Sequence, residues 1–150
     1  MQATEPIKSI NENSTAVQAH LNILQSVIQR MAFNSNSAKT WCVTIVSAIL
    51  VTIADKNKPQ LAWLCIIPIL QFCSLDTYYL GLEKGFRESY NHFIKKLHTE
   101  KLNHDDLFAV IPKGKMLYHY VEAFFSFSIW SFYLVLLSLV VFAYFWVLGA

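Results

Sequence analysis

The stretch PQLAWLCIIPILQFCSLDTYYLGLEKGFRESYNHFIKKL, residues 59–97, decides the fold. Its first half, 59–80, is long and apolar enough to cross a bilayer, which takes about 20 predominantly apolar residues. Its second half, 81–97, is charged and amphipathic, and no obvious helix breaker separates the two halves. Leu75, Tyr79, Leu82, Phe86, Tyr90, Phe93 and Leu97 recur at steps of three and four, the signature of one helical stripe. Glu83 precedes Arg87 by four residues and Lys84 precedes Glu88 by four, which adds modest support to the helix. At 1.5 Å per residue the whole helix is about 55–60 Å long, with about half of it outside the bilayer.

The rest of the chain is read against this element. Of 150 residues, 55% are hydrophobic and 15% charged, and the charges are clumped. The uncharged blocks are 40–54, 59–75 and 123–150. Three such blocks in one small domain leave too little polar surface to cover them, which argues against a soluble helical protein. The expected fold is an all-α integral membrane protein. Its core is a long antiparallel helical hairpin of two spans extended into the cytoplasm, and a third, C-terminal transmembrane helix completes it. The segments are a cytoplasmic helix at 13–33, spans at 38–54 and 60–80, the second continuing to about 98, a linker at 99–117 and a third span at 118–148, single and long or tilted. The polar start, 1–13, reads as loosely held and is not a signal peptide.

Positive charge is asymmetric. Lys8, Arg30, Lys84, Arg87, Lys95, Lys96, Lys101, Lys113 and Lys115 share one side, while Lys56 and Lys58 lie on the other. The positive-inside rule places the N-terminus and linker in the cytoplasm and the C-terminus outside.

Thr15 and Gln18 form a capping box ahead of Val17, Leu21, Leu24, Ile28 and Met31, a narrow apolar seam. Asn34-Ser35-Asn36-Ser37 is either a break or a polar helical turn, and Pro68 is a candidate kink in the second span. Folded about Asn57, the seams fall into register: Leu21 meets Phe93, Leu24 meets Tyr90, Ile28 meets Phe86. Lys39 then meets Asp76, and Arg30 meets Glu83, each within a residue or two. A carboxylate at the bilayer border is costly unless paired. Asp76, beside Tyr78 and Tyr79, is therefore either a functional acid or one half of a structural pair. Thr40, Thr44, Ser47 and Thr52 share a face of the first span, suited to close helix packing or to lining a polar path.

No nucleophile elbow, zinc helix or dinucleotide motif is present, so no catalytic residue, cofactor or metal is expected. His98, His104, Asp105 and Asp106 match no standard ligand spacing. The linker lacks a phosphate loop, and no direct nucleic-acid binding is expected. Cys42, Cys65 and Cys73 match no metal motif and read as buried and reduced. With three spans and no internal repeat, a solute path requires a homo-oligomer.

The run LDTYYLGLEKGFRESY, 75–90, preceded by SNSAKTWCVTIVSAIL, 35–50, resembles the small membrane proteins encoded beside bacterial anti-phage systems, such as the two-span SLATT-type effectors and defence-operon accessory proteins. The likeness covers residues 12–98, and the third span departs from the two-span pattern. It implies a non-enzymatic, oligomeric protein of the bacterial inner membrane that permeabilises or perturbs the bilayer on a cytoplasmic signal, taken from a defence protein through 13–33 and 81–117. The alternative is a non-conducting anchor that recruits or regulates a cytosolic enzyme.

Overall fold

A computed structural model describes residues 14–56 and 58–147; the polar start at 1–13 lies outside them. Every regular element among these residues is helical. Helix α1 runs over Thr15–Lys56 and is followed by a 3-10 segment, Pro59–Cys65. Helix α2 covers Ile66–His98, α3 Met116–Phe124 and α4 Phe127–Phe142, which ends in a π-helical turn, Ala143–Val147. A short 3-10 turn, His104–Asp106, interrupts the 99–115 strap between α2 and α3. Three helical stretches, within Thr15–Lys56, Pro59–His98 and Phe127–Trp146, are long and apolar enough to cross a membrane.

Helix α1 starts on Ser14, whose hydroxyl accepts from the Val17 amide, so the cap lies one residue before the expected Thr15. It passes through Asn34–Ser37 without a break. Its buried positions include Val17, Leu24, Met31 and Ala38, each seven apart, with His20 and Ser35 between them and Cys42 following. This is a 3.5-residue repeat, and a polar turn interrupts it only if its polar atoms are left unsatisfied. Ser35 is satisfied, as shown below. Contacts advance along α1 as they retreat along α2: Val17 clusters with Phe93 and Leu97, Lys39 meets Asp76, and Cys42 lies against the Pro68 carbonyl.

The candidate kink at Pro68 falls just after a change of helix type, from the 3-10 segment to α2. Pro68 is the third residue of α2, inside the first turn, where a missing N–H breaks no intrahelical bond. The single third helix expected over 118–148 is also two helices. Ser126 takes an extended backbone (ψ 147°) between α3 and α4, and its carbonyl receives the first amides of α4, from Ile129 and Trp130. Serine favours that position over a helix interior.

The large apolar stripe read along α2 is only half the packing. Leu75, Tyr79, Leu82, Phe86 and Tyr90 are half-buried; the buried line on the adjoining face is Gly81, Gly85, Ser89, Phe93 and Leu97. The strap and α3 cross this small-residue ridge. A Cβ on Gly81 would sit 2.3 Å from the Tyr120 ring, and one on Gly85 would sit 3.0 Å from both Met116 Sδ and Pro112 Cβ. Ser89 Oγ donates to the Ile111 carbonyl at 2.6 Å, and the Lys113 amide donates to the Gly85 carbonyl at 3.1 Å. Small residues at four-residue spacing let backbones approach closely enough for such bonds.

In each of the three apolar windows only 22% of residues are buried. Trp41, Val51, Ile67, Leu70, Val135 and Leu139 all face outward. So large an outward apolar surface is stable in lipid and unfavourable in water.

Gly81→Val tests the ridge. The side chain must displace Tyr120, and overpacking of this kind costs about 1–3 kcal/mol. The variant is expected to unfold at lower temperature in detergent and to expose 107–120 to proteolysis. Wild-type resistance in that segment would mean that α3 does not rest on Gly81.

Candidate functional site

Polar side chains gather at two levels of the molecule. The first is where the apolar segments begin. Ser35 and Lys39 are four apart on α1 and share a face. Opposite them on α2 is Asp76, which is fully buried. Ser35 Oγ donates to Asp76 Oδ1 at 2.5 Å, and Lys39 Nζ lies 2.6 Å from Oδ2. Lys39 also reaches Ser35 Oγ at 3.5 Å, so the three groups close a triangle. From α4, the buried Tyr133 hydroxyl has no hydrogen-bond partner among the described residues. The Asp76 carboxylate is held by one cation and one hydroxyl, from adjacent turns of α1.

Lys39 keeps 15% of its side-chain surface exposed, whereas Asp76 keeps none. The lysine can extend its ammonium outward if the partner is lost; the aspartate cannot follow. The pair is therefore asymmetric. Removing the lysine strands a buried anion, and removing the aspartate frees a cation that can leave.

The expected Arg30–Glu83 pair is absent. Glu83 is bound at 2.8 Å by Arg87 Nε of its own helix, and Arg30 is exposed. An i, i+4 partner on one helix needs no interhelical register, so it wins. Tyr78 and Tyr79 do not ligate Asp76. Their rings contact each other at 5.5 Å, and Tyr78 stacks on Tyr120 at 5.8 Å. Thr40, Thr44, Ser47 and Thr52 are exposed, and the hydroxyls of Thr40, Thr44 and Thr52 donate to the carbonyls four residues back in α1. Of the expected seam, Leu24 and Phe93 are buried, Leu21 packs beside Phe93, and Ile28, Phe86 and Tyr90 are half-buried.

The second level is the head, built from the start of α1, the end of α2 and the strap. Asp106 closes the turn at its start, accepting from the Asn103 amide at 3.1 Å and from Lys96 Nζ at 2.7 and 2.9 Å. These bonds, with Lys96 first, hold its carboxyl below the usual range. His20 is 2% exposed, and its Nδ1 accepts from the Phe108 amide at 2.9 Å. Its ring packs on Phe93 with centroids 4.2 Å apart. Burial lowers its pKa, against an opposing pull from Asp106, so the ring is neutral with the proton on Nε2. Phe108 takes a left-handed backbone (φ 64°) to make that bond. Below it, His119 Nε2 donates to the Lys113 carbonyl at 3.1 Å and lies 3.0 Å from Glu88 Oε2. Lys84 pairs with Glu122 at 2.7 Å, fixing α3 to α2.

Sequence reasoning found Lys39, Asp76 and the packing of the two helices in the head, but missed Ser35, Tyr133 and the strap's place against α1 and α2. The spacing Gly81, Gly85, Ser89 was a usable signal for a segment lying across α2. His20 carried none, since its partner Phe108 is remote in sequence. Among the described residues no three His, Cys, Asp or Glu side chains converge as a metal site, and the three cysteines are unpaired. Comparison with protein-family models, with curated proteins and with solved structures gives no match.

The asymmetry of the pair gives a prediction. Lys39→Met is expected to destabilise by about 3–5 kcal/mol, as measured when one member of a buried pair is removed. Asp76→Asn is expected to cost clearly less. The double variant Lys39→Met with Asp76→Leu should recover most of the loss, read as melting temperature in detergent. Equal losses with no recovery in the double variant would mean that the pair does not act as a unit.

Proposed function

We propose that this chain is an integral membrane protein in which α1 and α2 form a long antiparallel hairpin and α4 a third span. The head, with the N-terminus, faces the cytoplasm. The outward apolar surface of all three windows supports insertion. Aromatic residues support the depth. Trp41, Tyr78, Tyr118 and Tyr120 lie toward the head, and Trp63, Tyr144 and Trp146 toward the other end, as at the two interfaces of a bilayer. Tyr78 and Trp63 are about 24 Å apart along the helix axis at the rises of α- and 3-10 helices, near the thickness of a hydrocarbon core. The excess of Lys and Arg on the head side supports the orientation.

Within that frame the protein acts as a membrane effector or accessory of bacterial anti-phage defence, of the kind its central run resembles. It takes a signal at the head and perturbs the inner membrane as an oligomer. One observation carries this reading: α1 and α2 each run unbroken from head to apolar segment, and the ion pair that joins them through a fully buried carboxylate sits where the apolar segments begin. A change in head packing is thereby mechanically linked to span packing. The second reading, a non-conducting anchor for a cytosolic partner, is favoured by the threonine hydroxyls of α1. They are closed on their own backbone, so a single chain offers no polar path along that face.

Membrane potential and dye uptake in bacteria after induced expression test the two. Depolarisation that precedes growth arrest is the result expected of an effector. An intact potential at equal membrane abundance, with a cytosolic protein co-purifying through the head, would replace that reading with the anchor. Recovery of the chain in the soluble fraction after alkaline extraction would overturn both.

A further inference from the structure

The head contains a cleft of about 140 Å³ between α1, α2 and the strap. Its polar lining is His20, Ser89, His92, Lys96, Asp106 and Lys113. Hydrogen-bond bookkeeping shows what this lining lacks. Ser89 is spent on the Ile111 carbonyl and Asp106 on Lys96 and Asn103. Lys113 Nζ contacts His92 Nδ1 at 2.8 Å. An ammonium can only donate, so in this contact His92 accepts at Nδ1 and presents its N–H at Nε2. His20 accepts at Nδ1 and likewise carries its proton on Nε2. Two imidazole N–H groups and two ammonium groups therefore belong to one small cleft whose single carboxylate is already paired. Among the described residues Lys113 has no carboxylate within ion-pair distance, so the cleft holds one uncompensated positive charge.

The cleft is also built rather than incidental. His20, at its back, is 2% exposed, and Phe108 adopts a left-handed backbone to bond it. For a residue other than glycine that conformation is unfavourable, and it persists only where the surroundings impose it.

We propose that this cleft binds a phosphate group of a soluble ligand. Lysine ammoniums and imidazole N–H groups are donors of the kind that hold phosphate. The volume admits one phosphate group rather than a polyanionic chain. The source is soluble because of depth. His92 lies about 21 Å beyond Tyr78 along α2 at 1.5 Å per residue, whereas the headgroup layer adds only about 5–8 Å to each side of the core. This last step rests on the membrane reading above; the binding chemistry does not. A phosphate between Lys96 and Lys113 would compete with Asp106 for Lys96, and so act on the turn that fastens the strap to α2.

The test is calorimetric titration of inorganic phosphate into the full-length protein in neutral phosphatidylcholine nanodiscs at constant ionic strength. Hydrogen exchange of 106–113 provides a second readout. Saturable binding of one phosphate per chain is expected. Lys113→Gln should weaken it about tenfold, the loss of one charge-assisted hydrogen bond. Lys115→Gln, which does not line the cleft, should leave it within about twofold. Absence of saturable binding by the wild-type protein overturns the proposal whatever the variants do, as does an equal loss in both variants. Protection of 106–113 by discs containing phosphatidylglycerol, without any by free phosphate, would make the ligand a lipid headgroup and overturn the soluble source. Failure of membrane insertion with phosphate binding intact would overturn the topology alone.

Discussion

The ion pair between Lys39 and Asp76 is the constraint on which the rest depends. Apolar burial gives little drive for helix association inside a bilayer, because lipid tails are as apolar as the side chains they replace. Cys42, Val46, Cys65 and Ile69 pack well, but leucine-like surfaces pack nearly as well one turn away. A buried carboxylate is different. It has one position at which a lysine and a serine hydroxyl converge, and every shifted register leaves it unpaired. The same choice of register carries Val17 to Phe93 and Leu97 at the far end of the head.

Above that pair the packing rule changes. In water, burial of large apolar side chains does stabilise, at about 1.5–3 kcal/mol each. Yet α2 is approached most closely along the small residues Gly81, Gly85 and Ser89, where α3 and the strap cross it. The strap brings its own backbone polar groups, and a bare ridge lets them reach α2 and the imidazole of His20. Head and apolar segments are thus held by different contacts, charge pairing below and hydrogen-bonded close approach above. The strap's three fastenings to α2 that use side chains, at Ser89, His92 and Lys96, lie on the cleft itself.

The sequence made some of this legible and hid the rest for physical reasons. Helix content and the three apolar stretches follow from composition and periodicity, which act locally. Lys39 opposite Asp76 was legible because a border carboxylate has few possible partners. Arg30 opposite Glu83 failed because Arg87, one helical turn from Glu83, competes without needing register. The break at Ser126 was invisible to hydropathy, since α3 and α4 are apolar on both sides of it. Hydrophobic periodicity selected Phe86 and Tyr90 along α2 and passed over Gly81 and Gly85, because it counts apolar area and not closeness of approach. His20, Tyr133 and the cleft depend on residues far apart in the chain, and no local pattern encodes them.

Disulfide trapping in native membranes, with Cys42, Cys65 and Cys73 replaced by alanine, tests the central claim most directly. If the Lys39–Asp76 pair sets one register for the whole length of α1 and α2, cysteines at Val17 and Leu97 crosslink rapidly. Moving the second cysteine to Ile94 or Glu100 then abolishes the crosslink. Equal trapping at all three positions, or trapping only at a shifted one, would show that the pair does not fix how the two helices meet.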